Sequence, residues 1–284
     1  MPEILTSDGV RLHYEETGTG TPVLFVHEFA GDHRTWEPQM RYFARAHRCI
    51  TFSQRGYLPS DVPTDPARYS QDRFRTDVIE VLDGLGIERA HVVGHSMGAY
   101  TALHVGLHNP GRCMSVVAAG CGWGSKPADR DASIQLCEDI ARMFREEPIE
   151  AAAFAYARFP MRNAYEAKDP RGFAEFARWL GEHSGLGSAL TMLNLQLKRP
   201  TLWELEDALR TFSVPLLVIV GDEDEPCLDG SLFLKRTVPT AALAILPRCG
   251  HTVTSEEPAA FNDALSELFG AAESGHWLVH KLGR

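Results

Sequence analysis

Short apolar runs, each followed by an amphipathic stretch, constrain what this chain can fold into more than any other feature. Residues 23–26 (VLFV), 49–52 (CITF), 91–93 (HVV) and 113–120 (CMSVVAAG) have the length and composition of buried strands. Between them, 36–46 and 74–85 carry helical periodicity. Strands that are apolar throughout are covered on both faces, and the crossovers that join parallel neighbours are long enough to be helices. The expected fold class is therefore α/β, a mostly parallel sheet flanked by helices. Ahead of the first run, "EILTS" and "VRLHYEE" flank Asp8-Gly9 and read as an antiparallel hairpin.

After "GWGSKP" the pattern changes. From 128 to 209 no strand candidate occurs, and "ASIQLCEDIARMF", "PIEAAAFAYARF", "GFAEFARWL" and "LGSALTMLNLQL" all show helical periodicity. Strand signals return at 214–221 and 241–247, followed by a closing helix near 258–268. The sheet is thus built from both ends of the chain. The expected division is a core of 1–122 and 210–284 with an inserted helical cap, 123–209, lying on it as a lid.

The balance of charge narrows the partners. A net charge of −10 and a pI near 5.6, without any Lys/Arg block, exclude the cationic footprint that nucleic acids or anionic membranes require. A small-molecule substrate is the expected partner, no cofactor is implied, and a homodimer is left open. No run is long enough to span a membrane, and "MPEILTSDGV" lacks the basic head and apolar middle of a signal peptide, so the expected location is cytoplasmic. Cys49, Cys113, Cys121, Cys137, Cys227 and Cys249 follow no C-x-x-C spacing and read as reduced, structural thiols.

The run "AHVVGHSMGAY" places Gly94-His95-Ser96-Met97-Gly98 where a strand ends and an apolar helix begins. The bare G-x-S-x-G pattern arises by chance in about one chain in ten of this length. Its strand-to-helix context is what gives it meaning, because the small flanking residues permit a sharp turn that lifts the Ser96 hydroxyl out of the sheet. Serine needs a base, itself oriented by a third group. His251, in "RCGHTVTSEEP" after the last strand, reaches the same sheet rim, in a loop before a helix that Ser255 could cap. For the orienting acid, "VGDEDEP" offers Asp222, Glu223, Asp224 and Glu225, most of which are expected to be solvated.

With serine, acid and histidine in that order, the chain resembles the α/β-hydrolase superfamily over about residues 3–270. The matching motifs are G-H-S-M-G at 94–98, V-G-D-E-D at 220–224 and G-H-T-V-T-S-E-E-P at 250–258. The resemblance implies a triad of Ser96, Asp224 and His251, with Asp222 second to Asp224. It also implies an oxyanion hole formed by the backbone N–H groups of Phe29 and Met97. The loop after the third strand usually begins His-Gly in this superfamily, whereas here it reads His27-Glu28. A carboxylate aimed at a developing oxyanion opposes catalysis, so Glu28 is expected to turn away toward Arg55 or to be partly protonated.

These residues imply a hydrolase that cleaves an ester, lactone or related carbonyl bond of a small, partly apolar molecule through an acyl-enzyme. Serine at the elbow argues against the epoxide hydrolases and haloalkane dehalogenases of similar fold, which place a carboxylate there. Relatives that are cofactor-free perhydrolases or oxygenases, or ligand receptors with vestigial turnover, are the alternatives. Trp123, His27 and Glu28 are candidate substrate-binding residues. The aromatic residues of 144–179 read chiefly as the cap's own core, and Arg158, Arg162 and Lys168 as a solvated face. Metal binding is set aside, because His27 and His33 have no evident ligand partners and His104 and His108 lack the glutamate of H-E-x-x-H.

Overall fold

The computed structural model describes residues 2–277 and 279. Eight strands form one sheet in the order β1-β2-β4-β3-β5-β6-β7-β8. They are β1 (Glu3–Leu5), β2 (Arg11–Thr17), β3 (Thr21–Val26), β4 (His47–Phe52), β5 (Ala90–His95), β6 (Cys113–Ala119), β7 (Leu216–Gly221) and β8 (Ala241–Leu246). The Asp8-Gly9 hairpin pairs β1 with β2, and β2 adds antiparallel to β4. All other pairs are parallel. The mostly parallel α/β sheet expected from the apolar runs is the fold observed.

Strand alternation divides the side chains between two layers. On one face Leu24, Val26, Val92, Val116 and Val218 meet helices α2 (Gln71–Gly84), α3 (Met97–His108) and α10 (Glu225–Thr237). On the other, Val23, Phe25, Val93, Val117 and Ile219 meet α1 (Glu37–Phe43) and α12 (Pro258–Glu273). Helix α2 shows how sequence sets these elements. Ser70 caps it by accepting from the Arg73 N–H, and Phe74, Val78, Val81 and Leu82 recur at helical spacing on its buried side.

Between β6 and β7 lie α4 (Arg130–Glu146), α5 (Ile149–Ala157), α6 (Asn163–Lys168), α7 (Pro170–Gly181), α8 (Gly185–Thr191), a π-helical turn (Met192–Gln196) and α9 (Glu206–Arg210). The apolar faces of α4 to α8 and the π-helical turn form one cluster in which Phe144, Tyr156, Tyr165, Phe173 and Phe176 are buried, together with Phe29, Tyr57 and Met97 from the sheet rim. Phe154 instead lies on the surface beneath the Arg158 guanidinium. Leu202 and Leu209 pack in the sheet core, and Trp203 stacks on Phe233 of α10 at 4.4 Å, so the chain has rejoined the core before α9.

All six cysteines are buried and free. No helix among the described residues is long and apolar enough to cross a membrane.

Two glycines hold the centre of this arrangement at backbone contact distance. A β-carbon on Gly98 would overlap the Val26 carbonyl, and one on Gly94 would overlap the Gly98 carbonyl. Gly98→Ala is expected to destabilise the protein by about 3 kcal/mol, the upper range for overpacking. This would appear as a lower midpoint in chemical denaturation, with Gly111→Ala, whose β-carbon meets nothing within 4 Å, as the unchanged control.

Candidate active site

Ser96 terminates β5 with φ 53° and ψ −112°, a left-handed conformation that a non-glycine residue adopts only under constraint. The Gly94 and Gly98 contacts supply that constraint, and Ser96 N–H is tied to Ala119 O at 2.7 Å. From residue 90 through 106, Ser96 alone is not buried.

The loop after β8 brings His251 to the same rim. Its Nδ1 lies 2.8 Å from Asp224 Oδ2, and Asp224 is fully buried while Asp222, Glu223 and Glu225 are exposed. Asp222 instead accepts from Cys249 N–H. Cys227 stands 3.8 Å from His251 Nδ1, but burial pushes its thiol well up, and it donates to Gly120 O as a neutral group.

Four further hydrogen bonds hold the His251 loop. His251 N–H donates to Met161 O at 2.8 Å, His251 O accepts from His95 Nε2 at 2.7 Å, and the Glu256 carboxylate accepts from Gly250 and Thr252 N–H. Glu256 thus folds the G-H-x4-E loop onto itself. The cap expected from Ser255 is not formed: helix α11 (Val253–Glu256) begins at Thr252 without a side-chain cap, and Ser255 lies inside it.

Phe29 and Met97 both lie against Tyr57, whose hydroxyl reaches Met97 Sδ at 3.9 Å and whose ring stands at 90° to Phe29. Neither residue's N–H donates to another group among the described residues. His27 serves its own loop. Its Nε2 accepts from Gln54 N–H and its Nδ1 donates to Glu28 O, leaving no ring nitrogen for a substrate, and burial holds it neutral with a pKa of about 4. Trp123, at the exit of β6, lines a surface hollow with Glu225, Pro226 and Asp229.

Glu28 departs furthest from expectation. Arg55 is already bound by Asp77 and Asp8. Glu28 turns instead to Arg162, in the turn before α6, with Oε2 at 2.5 Å from Nη2. Both are buried, at 3% and 1% exposure, so Arg162 is no part of a solvated face. Burial alone would raise the Glu28 pKa, but the Arg162 guanidinium, with His95 and His251, outweighs it and holds the carboxyl ionised, at about 2. Oε1 lies 3.7 Å from His95 Nδ1, and burial keeps that imidazole neutral, near 4.

The post-β3 segment has a second anchor. Buried Asp32 meets His183 at 3.3 Å, and Arg34 bridges Asp32 and Glu182. Sequence reasoning missed Met161, Tyr57 and the Arg162 pairing, which no local motif marks. It also missed the neighbours of His33: His33 Nε2 and His13 Nε2 lie 3.5 and 3.7 Å from Glu15 Oε1. Strand alternation puts His13 and Glu15 on one face of β2, and this trio has the donor set to hold a cation.

Because its folded pKa lies below the ordinary 4.5, Glu28 contributes stability that is full above pH 4.5 and disappears as pH falls through about 2. Glu28→Gln, which leaves Arg162 buried without its counter-ion, is expected to cost about 3 kcal/mol near neutrality. In denaturant titrations at several pH values, that gap should narrow below pH 4.5.

Residues 21–258 match the family model described as alpha/beta hydrolase fold. The chain is 26% identical over 270 residues to a Bacillus subtilis protein named as a putative 2-succinyl-6-hydroxy-2,4-cyclohexadiene-1-carboxylate synthase, covering 93% of this chain and 97% of that one. It is 27% identical to 3-oxoadipate enol-lactonase 2 of Acinetobacter baylyi, covering 94% and 96%. The solved structure of a hydrolase from Pseudomonas aeruginosa superposes with a TM-score of 0.82 at 25% identity, over 95% of this chain and 98% of that one. The family match spans most of the chain and coincides with the elements that carry Ser96, Asp224 and His251: this protein belongs to the alpha/beta hydrolase fold family.

Proposed function

We propose that this hydrolase is a serine hydrolase that cleaves an ester, lactone or related carbonyl bond of a small, partly apolar molecule through an acyl-enzyme. The observation that carries the reading is the 2.8 Å His251–Asp224 contact at the rim where Ser96 is held in a left-handed turn. Ser96 Oγ attacks the carbonyl carbon while His251 Nε2 takes its proton. Asp224 holds the Nδ1 proton and stabilises the imidazolium. The oxyanion is held by Phe29 and Met97 N–H, the second at the N-terminus of α3, where the helix dipole adds positive potential. His251 then protonates the leaving group, takes a proton from water, and the resulting hydroxide attack releases the acid and restores Ser96.

The helical block acts in this reading as the cap. Its Met161 carbonyl seats the His251 loop, and Phe144 and Tyr156 cover Phe29 at ring distances of 5.7 and 5.2 Å. Those apolar surfaces suit an apolar acyl or alkoxy group. The name of the similar enol-lactonase favours the same bond class.

A fluorophosphonate probe should label the wild-type protein, and p-nitrophenyl esters of graded chain length should be cleaved. Ser96→Ala should remove the label and lower kcat by about four orders of magnitude or more, with His251→Ala comparably severe and the double variant little worse. Full labelling of Ser96→Ala would overturn the assignment.

A further inference from the structure

Arg162 is a guanidinium enclosed within the protein. Nη2 donates to Glu28 and the Tyr156 hydroxyl stands close enough to favour the charged form, while Nε and Nη1 are buried without an acceptor in hydrogen-bond geometry among the described residues. Buried donors are nearly always satisfied, because leaving them unpaired is costly. Tyr156 and Phe176 lie 5.1 and 5.4 Å from the guanidinium carbon. The unpaired hydrogens lie in the guanidinium plane, the direction from which oxygen atoms bind it.

The position of these donors ties them to the reacting centre. Met161, the preceding residue, accepts the His251 N–H, and Tyr156 packs on Phe29. Glu28, the guanidinium's partner, lies beside His95, which precedes Ser96 in the chain. The charge of Arg162 is already balanced by Glu28, and the other carboxylate at the site, Asp224, adds negative charge. An anion entering here would meet no net positive field. An uncharged oxygen would gain hydrogen bonds from a charged donor without that penalty.

We propose that Arg162 orients the substrate by donating from Nε and Nη1 to a second, uncharged oxygen, such as a ketone, ester or ether oxygen beyond the scissile carbonyl. Glu28 neutralises the guanidinium and so turns the site against substrates with a carboxylate at that place. Arg162 is thereby a specificity-determining residue, and Glu28, which acts through it, a positioning residue. This inference rests on the serine hydrolase reading.

The test compares p-nitrophenyl esters of pentanoic and hexanoic acids with those of the corresponding keto acids and with the half-esters of succinic and glutaric acids. For the wild-type protein, kcat/KM for the best keto ester should exceed that of the plain ester by about tenfold or more, the half-esters being poorest. In Glu28→Gln/Arg162→Met, which removes both charges together, the keto advantage should vanish while the plain ester is still cleaved. Glu28→Gln alone should raise the half-esters relative to the plain esters. Equal wild-type rates on keto and plain esters, or a keto advantage that survives in the double variant, would overturn the proposal and leave the serine hydrolase reading intact. If no ester is cleaved and Ser96 takes no label, that reading fails instead. Calorimetric binding of methyl levulinate against methyl pentanoate then decides the Arg162 site, preference for the ketone supporting it and equal binding overturning it.

Discussion

Close approach between two backbones, where α3 begins against the end of β3, is the constraint from which the site follows. Gly98 touches the Val26 carbonyl and Gly94 the first turn of α3, so the chain between them has room for one sharp turn only. That turn forces Ser96 into the left-handed region and leaves it accessible among buried neighbours. Because β3 and β5 are adjacent and parallel, the same crowding places the loop containing Phe29 beside Met97. Serine and both candidate oxyanion donors therefore come from one packing event.

A polar shell holds the other side of the rim. His95, Met161 and Glu256 fix the His251 loop, while Asp224 meets its ring from the N-terminal end of α10. His27 and His95 look like catalytic candidates by residue type, yet both ring nitrogens of His27 and the Nε2 of His95 are engaged with protein groups, and burial holds both rings neutral. Placement rather than residue type distinguishes His251 among the twelve histidines.

The parts legible in the sequence are those whose physics is local or periodic. The apolar runs of 23–26, 49–52 and 113–120 report strands because burial on both faces leaves no polar positions. Gly94 and Gly98 report the turn because a β-carbon there has nowhere to go. Asp224 was distinguishable from its acidic neighbours only by resemblance, since burial, which sets it apart, depends on the loop after β8. The direction of Glu28 was illegible for a related reason. Its partner lies 134 residues away in a turn whose basic residues match a solvated face in composition. Helix α9 is helical in pattern like the segments before it, yet Leu209 packs in the sheet core, because periodicity does not say on which core a helix packs.

Glu28–Arg162 also bears on why the helical block is joined to the rim by charge. An apolar contact of the same volume would hold the two parts at least as firmly, since desolvating two ions offsets most of their attraction. Apolar surfaces, however, slide over one another at little cost, whereas a buried ion pair displaced from its partner costs about 3 to 5 kcal/mol. Phe144, Tyr156 and Phe29 supply the adhesive area, and the ion pair supplies the register. Register matters here because Met161, adjacent to Arg162, carries the carbonyl that seats His251. A shift of the turn that broke the ion pair would also withdraw that carbonyl, so the residue that orients the imidazole loop and the one that contacts substrate in the proposed site are held by the same charge.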